Sequence, residues 1–347
     1  MFVAAMIAMI ACKKEIHDMR SKTCEPDGAF KAGDPPQDCA MNVSIECGML
    51  SFEDLDHFLA VAECLTERYN AHVDWFVSQN ENLDDDELDE LAEVSGFVDE
   101  EAIIYFETSL GFASYRQHYE STLTDWVDAG NDPEDFSMPE LFPSPALAAL
   151  RNVHGAVMIG GAIYLTDGSG RRWEFCTCDV HLDYLANPTA YESIEGDPCV
   201  TLHRTIYEGN GTQCSDSWRQ CRWIEYSTGK KVKATLEFSY GGYAPTQTLV
   251  SARLDAWKQR ASGRWKRRYL SLHPRATGPF TETGCDARGN YNVNKGSKRR
   301  RTWESWDSYH GQKTFKNETC VGSYVWGPNN LQHTIMLDFV NGQLCWN

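Results

Sequence analysis

Residues 145–176 read PALAALRNVHGAVMIGGAIYLTDGSGRRWEFC, and the character of the chain changes within them. Residues 145–152 follow a Pro-rich stretch and predict one last short helix. From Ala156 onward Val, Ile and Tyr are frequent and glycines interrupt the run, which is typical of paired strands. Helical spacing precedes this segment and strand patterning follows it, so the sequence predicts an α+β protein.

Three apolar stripes at three- and four-residue steps precede the change and predict amphipathic helices. They are residues 52–65 with Ser51 as the N-cap, residues 83–94 closed by Gly96, and residues 112–126 closed by Gly130. The acidic run that starts at Asp84 lacks the glycine of an EF-hand loop, so it predicts a solvated helix face rather than a calcium site. We therefore expect a small acidic helical domain over residues 49–152.

Strand-like runs dominate the rest of the chain. They cover residues 232–240, 246–257, 263–272, 321–326, 334–340 and 343–346. Together with the paired strands after Ala156 they predict an antiparallel β domain over residues 153–347, built as a sandwich or a twisted sheet and tied by disulfides.

Charge is divided unevenly between these two parts. Residues 1–155 carry 8 Lys and Arg against 32 Asp and Glu, whereas residues 156–347 carry 24 against 18. Within the second part, residues 230–313 hold 18 basic and 6 acidic residues. Such a basic surface attracts anions, and the first anionic surface that it meets is the acidic part of its own chain.

The first residues predict export. Residues 1–11 read MFVAAMIAMIA, which is too short to span a bilayer but is typical of the apolar region of a signal peptide. No Lys or Arg precedes this region, so we expect the true start to lie upstream. Residues 12–48, rich in Pro and Gly, predict a tether that follows a lipid-modified Cys12.

Of the 13 cysteines, an even number remains once Cys12 is set aside, which suits disulfide pairing in an oxidising compartment. The disulfide candidates are Cys24, Cys39, Cys47, Cys64, Cys176, Cys178, Cys199, Cys214, Cys221, Cys285, Cys320 and Cys345. We expect a protein that is anchored through lipid to the outer membrane or the cell surface, with the membrane as one partner.

Several short motifs resemble known sequences. Residues 9–12, MIAC, resemble a lipobox, and GMLSF at 48–52, SLGFASYR at 109–116, LRNVHG at 150–155 and IGGAIY at 159–164 follow it. Together they resemble the uncharacterised lipoprotein families of Bacteroidetes, over roughly residues 12–175. The resemblance implies the location and the helix-then-hairpin architecture, and it implies no catalytic residue.

A basic and aromatic segment is the candidate binding surface. Its residues are Arg299, Arg300, Arg301, Trp303, Trp306 and Tyr309. Outside a cell, the polymer for such a surface is an anionic glycan or another envelope polymer and not a nucleic acid. The alternative, which the charge division favours, is that the basic residues pack against the acidic helices and the tryptophans fill the core.

Cysteines and histidines cluster in a second segment. Cys176, Cys178, His181, Cys199 and His203 contain enough ligands for zinc, and Cys214 and Cys221 follow them. The spacing lacks a matching pair of Cys knuckles, and disulfides need fewer assumptions in an exported protein. We therefore expect neither a metal nor a cofactor.

No nucleophile elbow or phosphate-binding loop occurs in the chain. The sequence favours a non-catalytic structural or binding protein that contacts an anionic or sugar polymer. The alternative is an exported hydrolase of glycan or cell envelope, with two carboxylates about 5 to 9 Å apart in a concave pocket between the domains. The sequence predicts no oligomeric state.

Overall fold

Most of the chain after the tether can be described. The computed structural model describes residues 39, 42–132, 138–139, 144–166, 171–191, 197–203, 217–240, 247–282, 288–310, 313–315, 319–326, 331–337 and 343–344. No helix within these ranges has both the length and the apolar character that crossing a bilayer requires. Cys12 lies outside them, so its predicted lipidation stays a prediction.

The helices are concentrated between residues 55 and 149. They are α1 (Leu55–Gln79), α2 (Asp85–Ser95), α3 (Glu101–Leu110), α4 (Tyr115–Asp128), α5 (Pro145–Ala149) and, further along the chain, α6 (Cys178–Ala186). Asp84 forms a capping box with Glu87 at the start of α2, and Gly96 ends that helix in the left-handed conformation, with a φ of 70°. The predicted helices at 83–94, 112–126 and 145–152 are confirmed to within a few residues.

The predicted start of the first helix is wrong. Ser51 and Phe52 belong to a strand, and α1 begins at Leu55, where the Asp54 carboxylate accepts the His57 backbone N–H at 2.8 Å. Phe52 is buried. An apolar side chain at this position is compatible with both a helix and a strand. Phe52 adopts the strand conformation because it pairs with a distant segment of the chain.

The strands follow in three sheets. The first contains β1 (Ser44–Glu46), β2 (Met49–Phe52), β3 (Ala156–Ile159), β4 (Ala162–Thr166), β5 (Arg172–Phe175) and β6 (Val200–His203), in that order. Strands β2 and β3 run parallel, and the other pairs are antiparallel. Residues 55–150 therefore form an insertion between two neighbouring strands of one sheet.

The two other sheets are formed by longer strands. The second contains β7 (Ser217–Ser227), β8 (Lys230–Tyr240), β9 (Gln247–Gln259) and β10 (Trp265–Arg267). Strand β14 (Thr302–His310) pairs with β9 and also belongs to the second sheet. The third sheet contains β11 (Leu270–Glu282) and β12 (Arg288–Asn294), and both β13 (Lys298–Arg300) and β15 (Lys313–Phe315) pair with β11. Strands β16 (Thr319–Trp326) and β17 (Leu331–Leu337) extend the third, and β18 (Gln343–Leu344) pairs with β7.

These two sheets share one hydrophobic core. Leu236 on β8, Leu254 on β9, Leu272 on β11 and Ile335 on β17 are fully buried within it. All pairings within both sheets are antiparallel, as the strand patterning predicted. The α+β fold class with disulfide-bonded antiparallel sheets is thus confirmed.

The helices cover the sheets through shared cores. Phe58 on α1 and Phe106 on α3 pack in one cluster with Val157 of the first sheet and Leu249 of the second. Tyr119 on α4 packs in another cluster that includes Trp257 and Trp265. Burying these side chains supplies most of the attraction between the layers, at roughly 25 cal/mol per Å² of apolar surface.

Six of the predicted cysteines form disulfides. The pairs are Cys39–Cys64, Cys47–Cys178 and Cys176–Cys199. The side chains of Cys24, Cys214, Cys221, Cys285, Cys320 and Cys345 lie outside the described residues. Cys176, Cys178 and Cys199 cannot bind zinc while they form disulfides, because a disulfide sulfur is not a thiolate ligand. Within the described ranges, no three His, Cys, Asp or Glu side chains are arranged to hold a metal ion.

We predict that the Cys47–Cys178 disulfide stabilises the fold more than the Cys176–Cys199 disulfide. The two bonds span 131 and 23 residues, so the longer loop restricts the unfolded chain more. In the loop-entropy model, replacing both cysteines by Ala costs about 5 kcal/mol for the first pair and about 3.5 kcal/mol for the second. Denaturant unfolding of the two double variants measures the difference, and an equal or reversed loss would contradict it.

We also predict that His181 makes the fold sensitive to acid. His181 is 1 % exposed, and neither ring nitrogen has a hydrogen-bond partner among the described residues. Burial first, and the nearby His154 second, lower its pKa from 6.5 to about 4. Between pH 4 and 6.5, protons therefore bind His181 in the unfolded chain in preference to the folded one. The unfolding free energy is unaffected by protonation of this residue above about pH 6.5, and it decreases as the pH falls from there towards 4.

The expected loss across this window is about 3 kcal/mol of unfolding free energy. Denaturant unfolding at pH 7.5 and pH 4.5 measures it, and His181→Leu should reduce the difference between the two pH values. His118→Asn, at an exposed position, is the matched control and should leave the difference as in the parent protein. An unchanged pH dependence in His181→Leu would refute the assignment.

Candidate functional site

The predicted binding residues Arg299 and Arg300 lie on β13 against α1 and α2. The Arg299 Nε–H donates to Asp85 Oδ1 at 2.6 Å. Arg300 is 1 % exposed, and its Nη2 donates to Asp74 Oδ1 at 2.7 Å and to the Asn70 carbonyl at 3.2 Å. Both guanidinium groups are therefore bound by the acidic helices of the same chain.

Arg301 continues this contact, and Trp303 and Trp306 follow it on β14. Arg301 donates to Asp99 at 3.2 Å, and its guanidinium lies 4.6 Å from the centre of the Tyr269 ring. Trp303 is 7 % exposed, and its Nε1–H donates to the Gly296 carbonyl at 3.0 Å. Trp306 is partly buried, with the Lys295 ammonium 4.0 Å from its ring centre.

Tyr309 is partly buried and packs against the core of the second and third sheets. The interpretation that the basic segment packs against the acidic helices is thus confirmed. Whether any of the six residues contacts a polymer stays a prediction, which the structure does not test.

Further pairs extend the same contact, which we call the seam. Its acidic side consists of Asp74, Asp85, Asp86, Asp89, Glu93 and Asp99, and its basic side of Lys230, Lys258, Arg260, Lys266, Arg268, Lys298, Arg299, Arg300 and Arg301. Lys230 donates to Asp86 at 2.9 Å, and Lys266 donates to Glu93 at 2.5 Å. The seam is where the two oppositely charged parts of the sequence meet.

Burial and charge compete along the seam. Partial burial opposes ionisation of Asp86, but hydrogen bonds from Lys230 and Lys258 outweigh it and hold its pKa well below the usual value. At Asp89 burial prevails, and it raises the pKa despite the hydrogen bond from the Tyr269 backbone N–H. The exposed ion pairs of the seam contribute little to the unfolding free energy. A buried charge that loses its partner, in contrast, lowers the unfolding free energy strongly.

A separate open cleft of about 510 Å³ lies between α4 and α6. Helix α4 contributes Tyr115, His118, Tyr119 and Thr122, and the loop before β3 contributes Val153 and His154. Arg171, at the start of β5, and Tyr184, on α6, line it as well. Its size falls within the range of small-molecule sites, which is roughly 300 to 1,000 Å³.

Local hydrogen bonds determine the shape of the loop. Asn152 Oδ1 accepts the backbone N–H groups of His154 and Ala156 at 3.1 and 3.0 Å. The Tyr115 backbone N–H donates to the Arg151 carbonyl at 2.8 Å, which holds the start of α4 beside the loop. A Cβ on Gly155 would lie 2.4 Å from the Thr166 carbonyl oxygen, so glycine is required where the loop meets β4.

Basic groups lie in and behind the cleft wall. His118 and His154 are exposed, and Arg171 is partly buried. Behind the loop, Arg151 is 3 % exposed and donates to the Gly155 carbonyl at 3.1 Å. Burial first, and the charge of Arg172 second, lower the pKa of Arg151 to about 10. Two buried arginines therefore lie behind the wall, and Arg172 donates to the Glu237 carboxylate at 3.4 Å.

Carboxylates are absent from the described lining of the cleft. A smaller pocket of about 50 Å³, between α1 and β14, contains one carboxylate, Glu304, beside Trp303 and Trp306. Burial raises the pKa of Glu304 to about 7, and the Ser251 hydroxyl donates to it. Among the described lining residues, neither pocket brings together the two carboxylates that the hydrolase alternative requires.

The predicted site residues and the cleft do not coincide. Sequence reasoning did not single out His118, His154 or Arg171 as binding residues, because they come from three distant segments. One signal was present, since Tyr115 and His154 belong to the motifs SLGFASYR and LRNVHG. Both motifs line the cleft.

Comparisons with known proteins add little. No protein-family model matches the chain, and no curated protein matches it significantly. The chain is similar to the crystal structure of a DUF4848 family protein from Bacteroides thetaiotaomicron, at 12% identity over 85% of this chain and 100% of the other, with a TM-score of 0.22. This neighbour is consistent with the resemblance to uncharacterised Bacteroidetes families, but a TM-score so low carries no argument about fold or function.

We predict that Asp89 is the seam carboxylate whose loss costs most. Asp89 is 1 % exposed; its Oδ1 accepts the Tyr269 N–H at 3.0 Å and lies 3.9 Å from Arg301. Asp89→Ala leaves a buried donor and a guanidinium without this partner, so it should lower the unfolding free energy by about 2 to 4 kcal/mol. Glu90→Ala, at the exposed next position of α2, is the control and should change it by less than about 0.5 kcal/mol. Equal losses in denaturant unfolding would contradict this role of Asp89.

Proposed function

We propose that the protein is an exported, lipid-anchored surface protein that binds a sugar polymer without catalysis. The observation that carries the proposal is the cleft between α4 and α6. Its lining combines the partly buried ring of Tyr115 with two exposed histidines and Arg171, and no carboxylate occurs among its described lining residues. Aromatic faces and a few polar groups are what a sugar-binding site uses, whereas glycoside hydrolysis uses a pair of carboxylates.

The disulfides support the exported location. Disulfides persist in oxidising compartments, and three occur among the described residues. The lipid anchor on Cys12 rests on the lipobox-like residues before it. Intact mass of the protein from its native membrane, with and without reduction, tests both parts of this proposal.

The cleft is a better candidate for the polymer than the basic segment of β13 and β14. Arg299, Arg300 and Arg301 donate to carboxylates of the same chain, so a polymer would have to compete with these bonds. The cleft offers an open volume of about 510 Å³ apart from the seam, so binding there leaves the bonds of the seam intact. We therefore assign the binding role to the cleft first.

We predict that the oxidised full chain binds soluble glycans and releases no sugar from them. Calorimetry against a panel of neutral and anionic polysaccharides measures binding, and an assay for new reducing ends measures hydrolysis. Thr122→Trp places a bulky ring on the exposed part of α4 that lines the cleft, so it should weaken binding at least tenfold. Appearance of new reducing ends would favour the hydrolase alternative.

Thr124→Trp is the matched control. Thr124 is exposed on the same helix, does not belong to the described lining, and its hydroxyl donates to the carbonyl four residues earlier, as that of Thr122 does. It should retain binding. Equal effects of the two variants, or no binding of any glycan by the parent protein, would overturn the assignment of the cleft.

A further inference from the structure

The charge of the cleft differs from that of the chain as a whole. The chain has a formal net charge of −18 and 50 acidic residues, yet the cleft has none of them in its described lining. The ionisable side chains that can carry positive charge there are His118, His154 and Arg171. A cleft with this lining repels cations and attracts an anionic group.

Two buried arginines lie behind the wall of the cleft. Arg151 bonds the Gly155 carbonyl, and the same carbonyl accepts the N–H of Thr166, which lines the cleft. Arg151 is therefore linked to a lining residue through one shared carbonyl group. Arg172, 2 % exposed, lies next to it on the strand paired with β4 and bonds Glu237 at 3.4 Å. The Glu237 carboxylate therefore offsets the charge of Arg172.

Helix orientation acts in the same direction. Tyr115 and His118 lie in the first turn of α4, which has 14 residues and whose N-terminal end carries a partial positive charge. The Ser114 side chain already accepts the Gln117 N–H, so this end is capped and is no anion site by itself. Its partial positive charge lies beside the loop that carries His154.

The remaining lining residues favour a sugar ring over a small inorganic ion. Tyr115, which is partly buried, supplies aromatic surface, and Val153, 38 % exposed, and Leu185 supply apolar surface, whereas Tyr119 and Tyr184 are buried and contribute little. A volume of about 510 Å³ also exceeds what a single inorganic anion needs. An aromatic ring and aliphatic groups beside cations suit a ligand that has both a hydrophobic face and a negative group.

We propose that the cleft binds an acidic sugar, a ring with a carboxylate or sulfate group that lies against Arg171, His118 and His154. This inference rests on the proposed function and deepens it, because it names the class of polymer. A guanidinium binds a carboxylate or a sulfate through parallel N–H bonds, which a neutral sugar does not offer.

Two pairs of polymers that differ in charge alone test the inference. Polygalacturonate is compared with its fully methyl-esterified form, and dextran sulfate with dextran, by calorimetry on the oxidised full chain. We expect at least tenfold tighter binding of the charged member of one pair or of both, with the tighter pair identifying carboxylate or sulfate. Equal affinity within both pairs overturns the acidic-sugar inference and leaves the proposed function standing, whereas no binding of any polymer overturns both.

Substitutions locate the contact. Arg171→Gln and the double variant His118→Gln/His154→Gln should each weaken binding of the charged polymer roughly tenfold, with little effect on the neutral one. Arg260→Gln removes an exposed guanidinium on the seam, outside the cleft, and should not change the affinity. Circular dichroism and thermal unfolding check that each variant is folded. An equal loss in Arg260→Gln would show that the polyanion binds the general basic surface, and this would overturn the inference.

Discussion

The parallel pairing of β2 with β3 is the constraint on which the arrangement depends. It joins Ser51 to Met158 and Phe52 to Ile159, so the chain must return to its point of departure after residues 55–150. The Asn152 side-chain amide bonds the Gly48 carbonyl at 3.4 Å, and Ser114 forms a bridge with Asn152. These contacts bring the start of α4, the loop before β3 and the edge of β4 to one place. The cleft is a direct result of that convergence.

The seam determines how the strongly acidic helical segment lies on the basic sheet. Opposite charges draw the two surfaces together over a long range, but exposed pairs contribute little to the final stability. The buried members, Arg300 and Asp89, act differently, because each tolerates burial only opposite its own partners. Such pairs specify one orientation of the helices on the strands. The unequal charge of the two parts of the sequence therefore has a structural use within the chain.

Local signals in the sequence predicted the local structure well. The capping residues Asp84 and Gly96 determine the limits of α2, and alternating apolar residues mark β8 and β9. Ser51 failed as a predicted helix cap because its neighbour Phe52 belongs to a strand whose partner is more than one hundred residues away. Helices α3 and α6 and strands β1, β6, β7, β12, β13, β14 and β15 were not predicted; most of these elements are short, and packing supplies the preference that their local sequence lacks. The seam was predictable from charge alone, whereas the cleft was not: His118, His154 and Arg171 become neighbours only through the parallel pairing.

The disulfides have a consequence for proteolysis. Cys47 and Cys178 lie on either side of the whole helical insertion, and Cys176, two residues before Cys178, is joined to Cys199. A protease that cuts any single peptide bond between residues 47 and 178 would therefore produce two fragments that remain covalently attached. The segment that follows, with α6 and its wall of the cleft, stays joined at both ends as well. In a compartment rich in secreted proteases, a nicked molecule would keep its two parts together and its cleft assembled until a reductant opened these bonds.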